Sequence, residues 1–182
     1  KVNTVAMTGS ATVQGMTISF NMKQTNDGKS AQLVSMNGMT LSKNVFDGKT
    51  GYAEAQGQKM DYTEEQIADA KASAGLFPEL EVSEEAKLIA IEKVDGKDAY
   101  VVQASEKTKD YYDTETGLKV QTATTVSQGG QTMTNTTGFE DYKAVNGVKM
   151  PHVMKVSFGP QEVDITMSEI KVNEGVSDAD FQ

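Results

Sequence analysis

Few residues of this chain could carry acid–base, nucleophilic or metal chemistry. His152 is the only histidine, and the chain has no cysteine. A Ser-His-Asp arrangement would have to use His152, but this residue follows Pro151 in a pattern typical of a strand edge. Classical zinc sites need several histidine or cysteine ligands. The sequence therefore predicts no zinc or other metal site, no cofactor, no cysteine nucleophile and no disulfide.

Carboxylates next to one another are the other candidates for catalysis. They occur at Glu64/Glu65, Glu84/Glu85 and Asp178/Asp180. The glutamate pairs stand at predicted helix starts, where the helix dipole stabilises negative charge, and the aspartate pair is in a polar tail. Glycosidases place two acids across a cleft, usually beside aromatic platforms, and this chain has no tryptophan. We therefore expect no glycosidase and no enzyme.

The acidic stretch Asp113-Thr114-Glu115-Thr116-Gly117 has the composition of a calcium-binding loop. An EF-hand loop needs glycine at its sixth position and glutamate at its twelfth. Counted from Asp113, glycine is the fifth residue and the twelfth is Thr124. The spacing instead predicts a turn between two strands, with Gly117 at positive φ.

Composition narrows the classes of partner. The net charge is -9, and all 17 basic residues are lysines. An acidic surface repels a phosphate backbone, so nucleic-acid binding is excluded, and strong attraction to anionic lipid headgroups is disfavoured. No apolar run approaches the roughly 20 residues that span a bilayer. The chain begins at Lys1, which predicts a processed product or an excised domain.

Alternation of apolar and polar residues dominates the chain. Between Gly15 and Lys23, one face carries Met16, Ile18, Phe20 and Met22, which predicts a half-buried strand. Turn signals separate such runs. They stand at 14–15, 26–28, 37–38, 47–48, 95–96, 129–130 and 146–147. This spacing predicts an antiparallel meander of about eleven strands, either a barrel or a wide curved sheet.

One helix interrupts this pattern. Thr63 and Gln66 form a capping box, an alanine-rich run continues to about residue 74, and Gly75 is a natural stop. The later strands 87–91 and 99–102 are apolar on both parities, which is typical of strands covered on both faces. We predict that the helix covers the second face of these strands. No linker or repeat is visible, so we expect one domain over residues 1–182.

The ten methionines allow two interpretations. Methionine is flexible and polarisable, and it recurs at adaptable apolar binding surfaces. Ordinary core filling explains the same residues. Copper binding by thioethers would favour clustered Met-x-Met spacings, which the sequence lacks.

Three segments occur in a characteristic order, "VDGKDAYVVQ" (94–103), "YYDTETGLKV" (111–120) and "FEDYKAVNGVKMPHVMKV" (139–156). With the opening 1–15 and the ending 167–182, they resemble the LolA/LolB-like superfamily of bacterial envelope proteins, which includes outer-membrane lipoprotein carriers. The chain is most similar to LolA-like domains of Bacteroidetes-type bacteria, some of them appended to insulinase-like zinc peptidases. The resemblance implies an open antiparallel half-barrel with short helices on a concave face that holds acyl chains. The carriers use an arginine to latch the helical lid, and this chain has none.

Two functions follow as hypotheses. In the first, the chain is a non-catalytic envelope module, periplasmic or outer-membrane associated. Between its curved sheet and its helix it holds a lipid, an acyl chain, a hydrophobic peptide or another hydrophobic ligand, and a lipidated protein is a candidate partner. In the second, it is a structural or interaction domain with a filled interior, accessory to an upstream peptidase module or another envelope partner. The apolar wall predicted for the first is formed by Met16, Ile18, Phe20, Met22, Val156, Phe158, Ile165 and Met167.

Overall fold

A computed structural model describes residues 1–72, 74–77, 86–128, 131–158 and 161–182. The described chain forms thirteen strands, one α-helix and a 3₁₀ turn. The strands are β1 Thr4–Val13, β2 Met16–Thr25, β3 Ser30–Met36, β4 Met39–Phe46, β5 Gly51–Ala55, β6 Gln58–Asp61, β7 Lys87–Val94, β8 Lys97–Gln103, β9 Thr108–Asp113, β10 Lys119–Gln128, β11 Gln131–Val145, β12 Val148–Phe158 and β13 Gln161–Val172. The helix α1 is Glu64–Ala72, and the 3₁₀ turn is Asp178–Phe181.

The strands belong to one antiparallel sheet that does not close. Its hydrogen-bonded order is β6-β5-β4-β3-β2-β1-β13-β12-β11-β10-β9-β8-β7. Neighbours in this order follow one another along the chain, except that β13 returns to pair with β1. The strands β6 and β7 stand at the two ends of the order. A mainly β, unclosed antiparallel sheet with one short helix is confirmed.

The number of strands exceeds the predicted eleven. One source of the difference is the short hairpin β5–β6, which turns at Gln56 and Gly57 with φ angles of 53° and 77°. The predicted turns did not include this Gln-Gly pair, although the Gln-Gly pair at 14–15 was predicted as a turn and forms one with nearly the same φ angles. The predicted turn at 37–38 is present, with φ of 51° at Asn37 and 80° at Gly38. The predicted turn at 129–130 lies outside the described residues.

The helix begins as predicted. The Thr63 backbone N–H donates to the Gln66 side-chain oxygen (2.8 Å), and the Gln66 N–H donates to the Thr63 hydroxyl (3.3 Å). Glu64 and Glu65 occupy the first turn, where they complement the helix dipole. Gly75 has a φ of 122° just beyond the helix. The acid pair at 84–85 lies outside the described residues.

The chain divides into two compact units. Unit 1 comprises Lys1–Leu80, Ala144–Val148 and Thr166–Gln182, and unit 2 comprises Glu81–Lys143 and Lys149–Ile165. The largest fully buried side chains of unit 1 are Phe46, Val5 and Val45. In unit 2 the core cluster is Ala99, Val101, Tyr111 and Ala123, packed against Ala90, Val94 and Val120. One domain over the whole chain stays a prediction.

The prediction that the strands at 87–91 are covered on both faces is wrong. Ala90 pairs with the buried Val101, whereas Ile91 pairs with Tyr100 on the other face. Leu88 is 63% exposed, and Ile91 is equally open. Only one face of this part of unit 2 is packed. Apolar residues at both odd and even positions of the strand therefore did not indicate that both of its faces are buried.

The segment with Asp178 and Asp180 is polar and mostly exposed, as expected, but it is tied to the rest of unit 1. The Lys23 ammonium lies 2.6 Å from the Asp180 carboxylate, and the Lys29 ammonium lies 2.8 Å from the Asp178 carboxylate. Phe181 is only 6% exposed. One buried aromatic ring in a single turn has no periodic pattern, so the sequence could not indicate that this segment packs against unit 1.

Candidate functional site

The seven methionines of unit 1 all lie on one face of its strands. Directly opposed residues on neighbouring antiparallel strands point to the same face. One row of opposed residues crosses five strand pairs and contains Met60, Ala53, Asn44, Gln32, Met22 and Met7. A second row contains Met39, Met36, Ile18 and Ala11. We call this side of the unit 1 strands the methionine face.

The remaining two methionines join this face through β1 and β2. Met16 lies two residues before Ile18 on β2, and alternation places both on one side. Met167 is opposed to Gly9, which is opposed to Phe20. Gly9 has no side chain and is buried, and Phe20 and Met167 lie on either side of it. The methionine face is therefore apolar over most of its width.

Part of the methionine face is open to solvent. Met39 is 62% exposed, Met60 is 60% exposed, and Met16 is also exposed. Ile18, Phe20, Met22, Val34 and Met36 are half-buried. Large apolar side chains that remain open on one side of a sheet mark a surface for an apolar ligand or partner.

The predicted wall residues fall in both units. Met16, Ile18, Phe20 and Met22 share one side of β2, and Met167 faces the same side through Gly9. Ile165 lies two residues before Met167 on β13 and is buried, as Met167 is. Val156 is a half-buried residue of β12 in unit 2. Phe158 ends β12, and its side chain lies outside the described part of the structure.

Helix α1 forms the roof of a cleft at one end of the methionine face. The half-buried helix residues Ile67 and Ala70 are spaced to share one side of α1, and Ala74 follows the helix. A Cβ atom built on Gly28 would lie 2.9 Å from the Ala74 Cβ, so this turn touches the chain after α1. The cleft has a volume of about 330 Å³. Its lining is Met22, Gln24, Thr25, Gly28, Lys29, Ser30, Ala31, Gln32, Asn44, Phe46, Tyr62, Ala70, Ala74 and Gly75.

The cleft is more polar than the rest of the methionine face. Gln24, Gln32 and Asn44 bring carboxamides to it from three adjacent strands. Lys29 carries the only full charge among the described lining residues. The hydrogen bond that the Lys29 ammonium donates to the Asp178 carboxylate is the main cause of a raised Lys29 pKa, so the ammonium stays charged and paired. Burial raises the pKa of the Tyr62 phenol, which keeps it protonated as a hydrogen-bond donor.

The Asp113 loop is a turn, as its spacing predicted. The Asp113 carboxylate accepts hydrogen bonds from the Thr116 backbone N–H (2.7 Å), the Thr116 hydroxyl (2.8 Å) and the Glu115 N–H (3.1 Å). The bond from the Thr116 hydroxyl is the main cause of a lowered Asp113 pKa. Gly117 has a φ of 69°. The carboxylate is thus occupied by its own loop.

The other chemical candidates are also engaged in structure. The His152 Nδ1 atom lies 3.0 Å from the Met150 carbonyl oxygen, inside strand β12. Within the described residues, no group of three or more histidines or carboxylates is placed to hold a metal ion. No helix in this part of the chain is both long enough and apolar enough to cross a membrane.

Sequence reasoning missed the polar half of the site. Gln32 and Asn44 belong to strands β3 and β4 and gave no signal of their own, because a polar residue in an alternating strand is normally assigned to the solvent face. The turn at 37–38 is a signal that could have found Gln32, although not Asn44. A two-residue turn opposes Met36 to Met39, and counting back from this pair places Gln32 on the methionine side.

The described sheet and helix are similar in fold to several solved structures. A DUF1329 family protein from Desulfovibrio piger has a TM-score of 0.63 at 14% identity, covering 100% of this chain and 90% of that one. A LolA superfamily protein from Nitrosomonas europaea has a TM-score of 0.62 at 12% identity, with the same coverage. A domain from Vibrio parahaemolyticus, described as a candidate outer membrane lipoprotein-sorting protein domain, has a TM-score of 0.60 at 11% identity, covering 99% of this chain and 89% of that one.

No family model matches the sequence, and no curated protein matches it. The likeness to the three structures establishes the fold.

Proposed function

We propose that this chain is a non-catalytic binding module of the bacterial cell envelope that holds an apolar ligand on the methionine face. The observation that carries the proposal is the placement of all seven unit 1 methionines on one face, with Met16, Met39 and Met60 exposed. Flexible thioether side chains adapt to acyl chains and other irregular apolar ligands. An apolar surface with a few polar groups at one end is the usual form of a small-ligand site.

The fold and the chemical candidates support the same function. Two of the three similar structures are described as a LolA superfamily protein and a candidate outer membrane lipoprotein-sorting domain. His152 is bonded to a backbone carbonyl, and Asp113 is bonded within its own turn, which leaves neither in a catalytic arrangement. The proposed ligands are a lipid, an acyl chain or a lipidated protein, and the proposed location is the periplasm or the outer membrane.

The test measures binding of a fluorescent fatty acid to delipidated protein. We expect saturable binding, and Phe20→Asp should abolish it because a carboxylate would then stand in the centre of the apolar face. Met39→Asp should weaken binding several-fold. Since Met39 is exposed, this variant is expected to fold even if Phe20→Asp does not.

Thr40→Asp is the matched control. Thr40 is exposed and adjacent to Met39, but it is opposed to Ser35 and points to the other face. Its binding should equal that of the wild type. An absence of saturable binding by the wild type, or equal binding by the Met39→Asp and Thr40→Asp variants, would refute the proposal.

One observation favours the alternative, in which the chain is a structural or interaction domain accessory to an upstream zinc peptidase of Bacteroidetes-type bacteria. Leu88, Ile91 and Tyr100 form an exposed apolar strip on unit 2. If this alternative holds, the delipidated chain will bind no fatty acid, and Leu88→Asp will weaken association with the peptidase module.

A further inference from the structure

The cleft under α1 carries carboxamides that have no hydrogen-bond partner in the described part of the chain. Among the described residues, the side chains of Gln24, Gln32 and Asn44 make no hydrogen bond to another group. Each carboxamide offers both donors and an acceptor. Asn44 is opposed to Gln32 across β3 and β4, and Gln32 is opposed to Met22 across β2 and β3. The unused hydrogen-bonding groups therefore stand beside the start of the apolar surface.

Strand β2 connects this cleft to the apolar surface. Met22 lines the cleft, and Phe20, Ile18 and Met16 follow it on the same side of β2. Six residues of extended strand span roughly 20 Å at about 3.3 Å per residue. The site thus has a polar end and a long apolar track, which is the shape of an amphiphile.

The charge of the cleft selects among polar groups. Lys29 is bonded to Asp178 at 2.8 Å and lies 4.0 Å from Asp27, so its charge is already balanced by carboxylates. An anionic head group would find no unpaired cation among the described lining residues. A group rich in hydroxyls or amides could instead exchange hydrogen bonds with the three carboxamides. The volume of about 330 Å³ is near the lower limit of about 300 Å³ for small-ligand pockets, which suits one small head group.

We infer that the ligand of the methionine face is an amphiphile with an uncharged, hydroxyl- or amide-bearing head group, bound by Gln24, Gln32 and Asn44. Its apolar chain lies along Met22, Phe20, Ile18 and Met16. This inference rests on the proposed function and names the class of ligand.

The experiment compares two amphiphiles with the same alkyl chain as competitors of the bound fluorescent fatty acid. Decyl glucoside has an uncharged polyol head, and decanoate has a carboxylate. Below their micelle-forming concentrations, we expect decyl glucoside to displace the probe at about tenfold lower concentration, the size expected for one or two net hydrogen bonds.

Variants then test which side chains cause the preference for decyl glucoside over decanoate. Gln32→Met keeps the size of the side chain and removes its hydrogen bonds, and Gln32 is exposed, so the variant is expected to fold. In the Gln32→Met/Asn44→Leu variant, we expect decyl glucoside to lose its advantage, so that both competitors displace the bound probe at the same concentration. Asn21→Leu is the matched control, because Asn21 belongs to β2 but points to the opposite face; its preference should match that of the wild type.

The outcomes separate this inference from the proposed function. If the probe does not bind at all, the proposed function fails. If the probe binds but the two competitors are equal in the wild type, or decanoate is the better one, only the head-group inference is overturned. A preference for glucoside that persists in the Gln32→Met/Asn44→Leu variant overturns the assignment to these carboxamides.

Discussion

Replacing Gly28 with alanine should push the chain that follows helix α1 away from the sheet. Gly28 has a φ of 89°, and a Cβ atom on it would lie 2.9 Å from the Ala74 Cβ, well inside the normal contact of about 3.5–4.0 Å between carbon atoms. The left-handed backbone costs a residue with a Cβ about 1–2 kcal/mol. Overpacking costs about 1–3 kcal/mol more. We therefore expect Gly28→Ala to lower the free energy of unfolding by about 2–5 kcal/mol.

A double-mutant cycle divides this loss into its two causes. Ala74→Gly removes the atom that the new Cβ would strike, and residue 74 follows the helix, so this change alone should have a small effect. The Gly28→Ala/Ala74→Gly variant should recover the overpacking part of about 1–3 kcal/mol and keep the backbone part. Urea denaturation of the wild type and the three variants gives the four free energies. Additive effects, within about 0.5 kcal/mol, would show that Gly28 and Ala74 are not in contact and would refute the packing of α1 described above.

Three further predictions concern the 3₁₀ turn and the Asp113 loop. Phe181→Ala should lower the free energy of unfolding by about 3 kcal/mol, because the buried ring is lost, whereas Phe181→Leu should retain more than half of that stability; equal effects in urea denaturation would contradict the burial. The hydrogen bond from Lys23 is the main cause that lowers the pKa of Asp180 in the folded protein. The ionised carboxylate therefore stabilises the fold fully above the unfolded-state pKa of about 3.9, and this stabilisation is lost as the pH falls through the lower pKa of the folded state. Urea midpoints measured from about pH 5 to pH 2 should therefore fall less steeply in Asp180→Asn than in the wild type, and identical slopes would count against the ion pair. Asp113→Ala should lower the free energy of unfolding by about 2–3 kcal/mol, because the donors of Thr116 lose their acceptor. Asp113→Asn should lower it by less than half as much, and a rise in the wild-type Tm on adding calcium would instead indicate a metal-binding loop.

Local features of the fold could be predicted from the sequence because their causes are local. The alternation from Met16 to Met22 is a property of one strand, and the structure places these residues on one face of β2. The capping box of Thr63 and Gln66 needs only four consecutive residues, and both of its hydrogen bonds are present. Turns with asparagine or aspartate before glycine were predictable for the same reason.

The polar end of the candidate site depends on a β-bulge that the sequence does not indicate. Simple alternation from the Met36–Met39 pair would place Lys43 and Val45 above the cleft. The register shifts between Val34 and Ser35, and Leu41 becomes an extra residue of β4. A bulge reverses the side to which all following residues point, so that Asn44 and Phe46 line the cleft instead.

The sequence by itself determined most of the strands and turns, the helix start and the side of β2 on which its apolar residues lie, because each depends on residues close together in the chain. The tertiary structure decided how the strands are phased against one another, and therefore that the seven methionines of unit 1 share a face with three carboxamides. It also decided that Phe181 is buried and that Leu88 is exposed. The physical reason is that strand phase, bulges and the covering of a face are set by contacts between residues far apart in sequence, which no local period records.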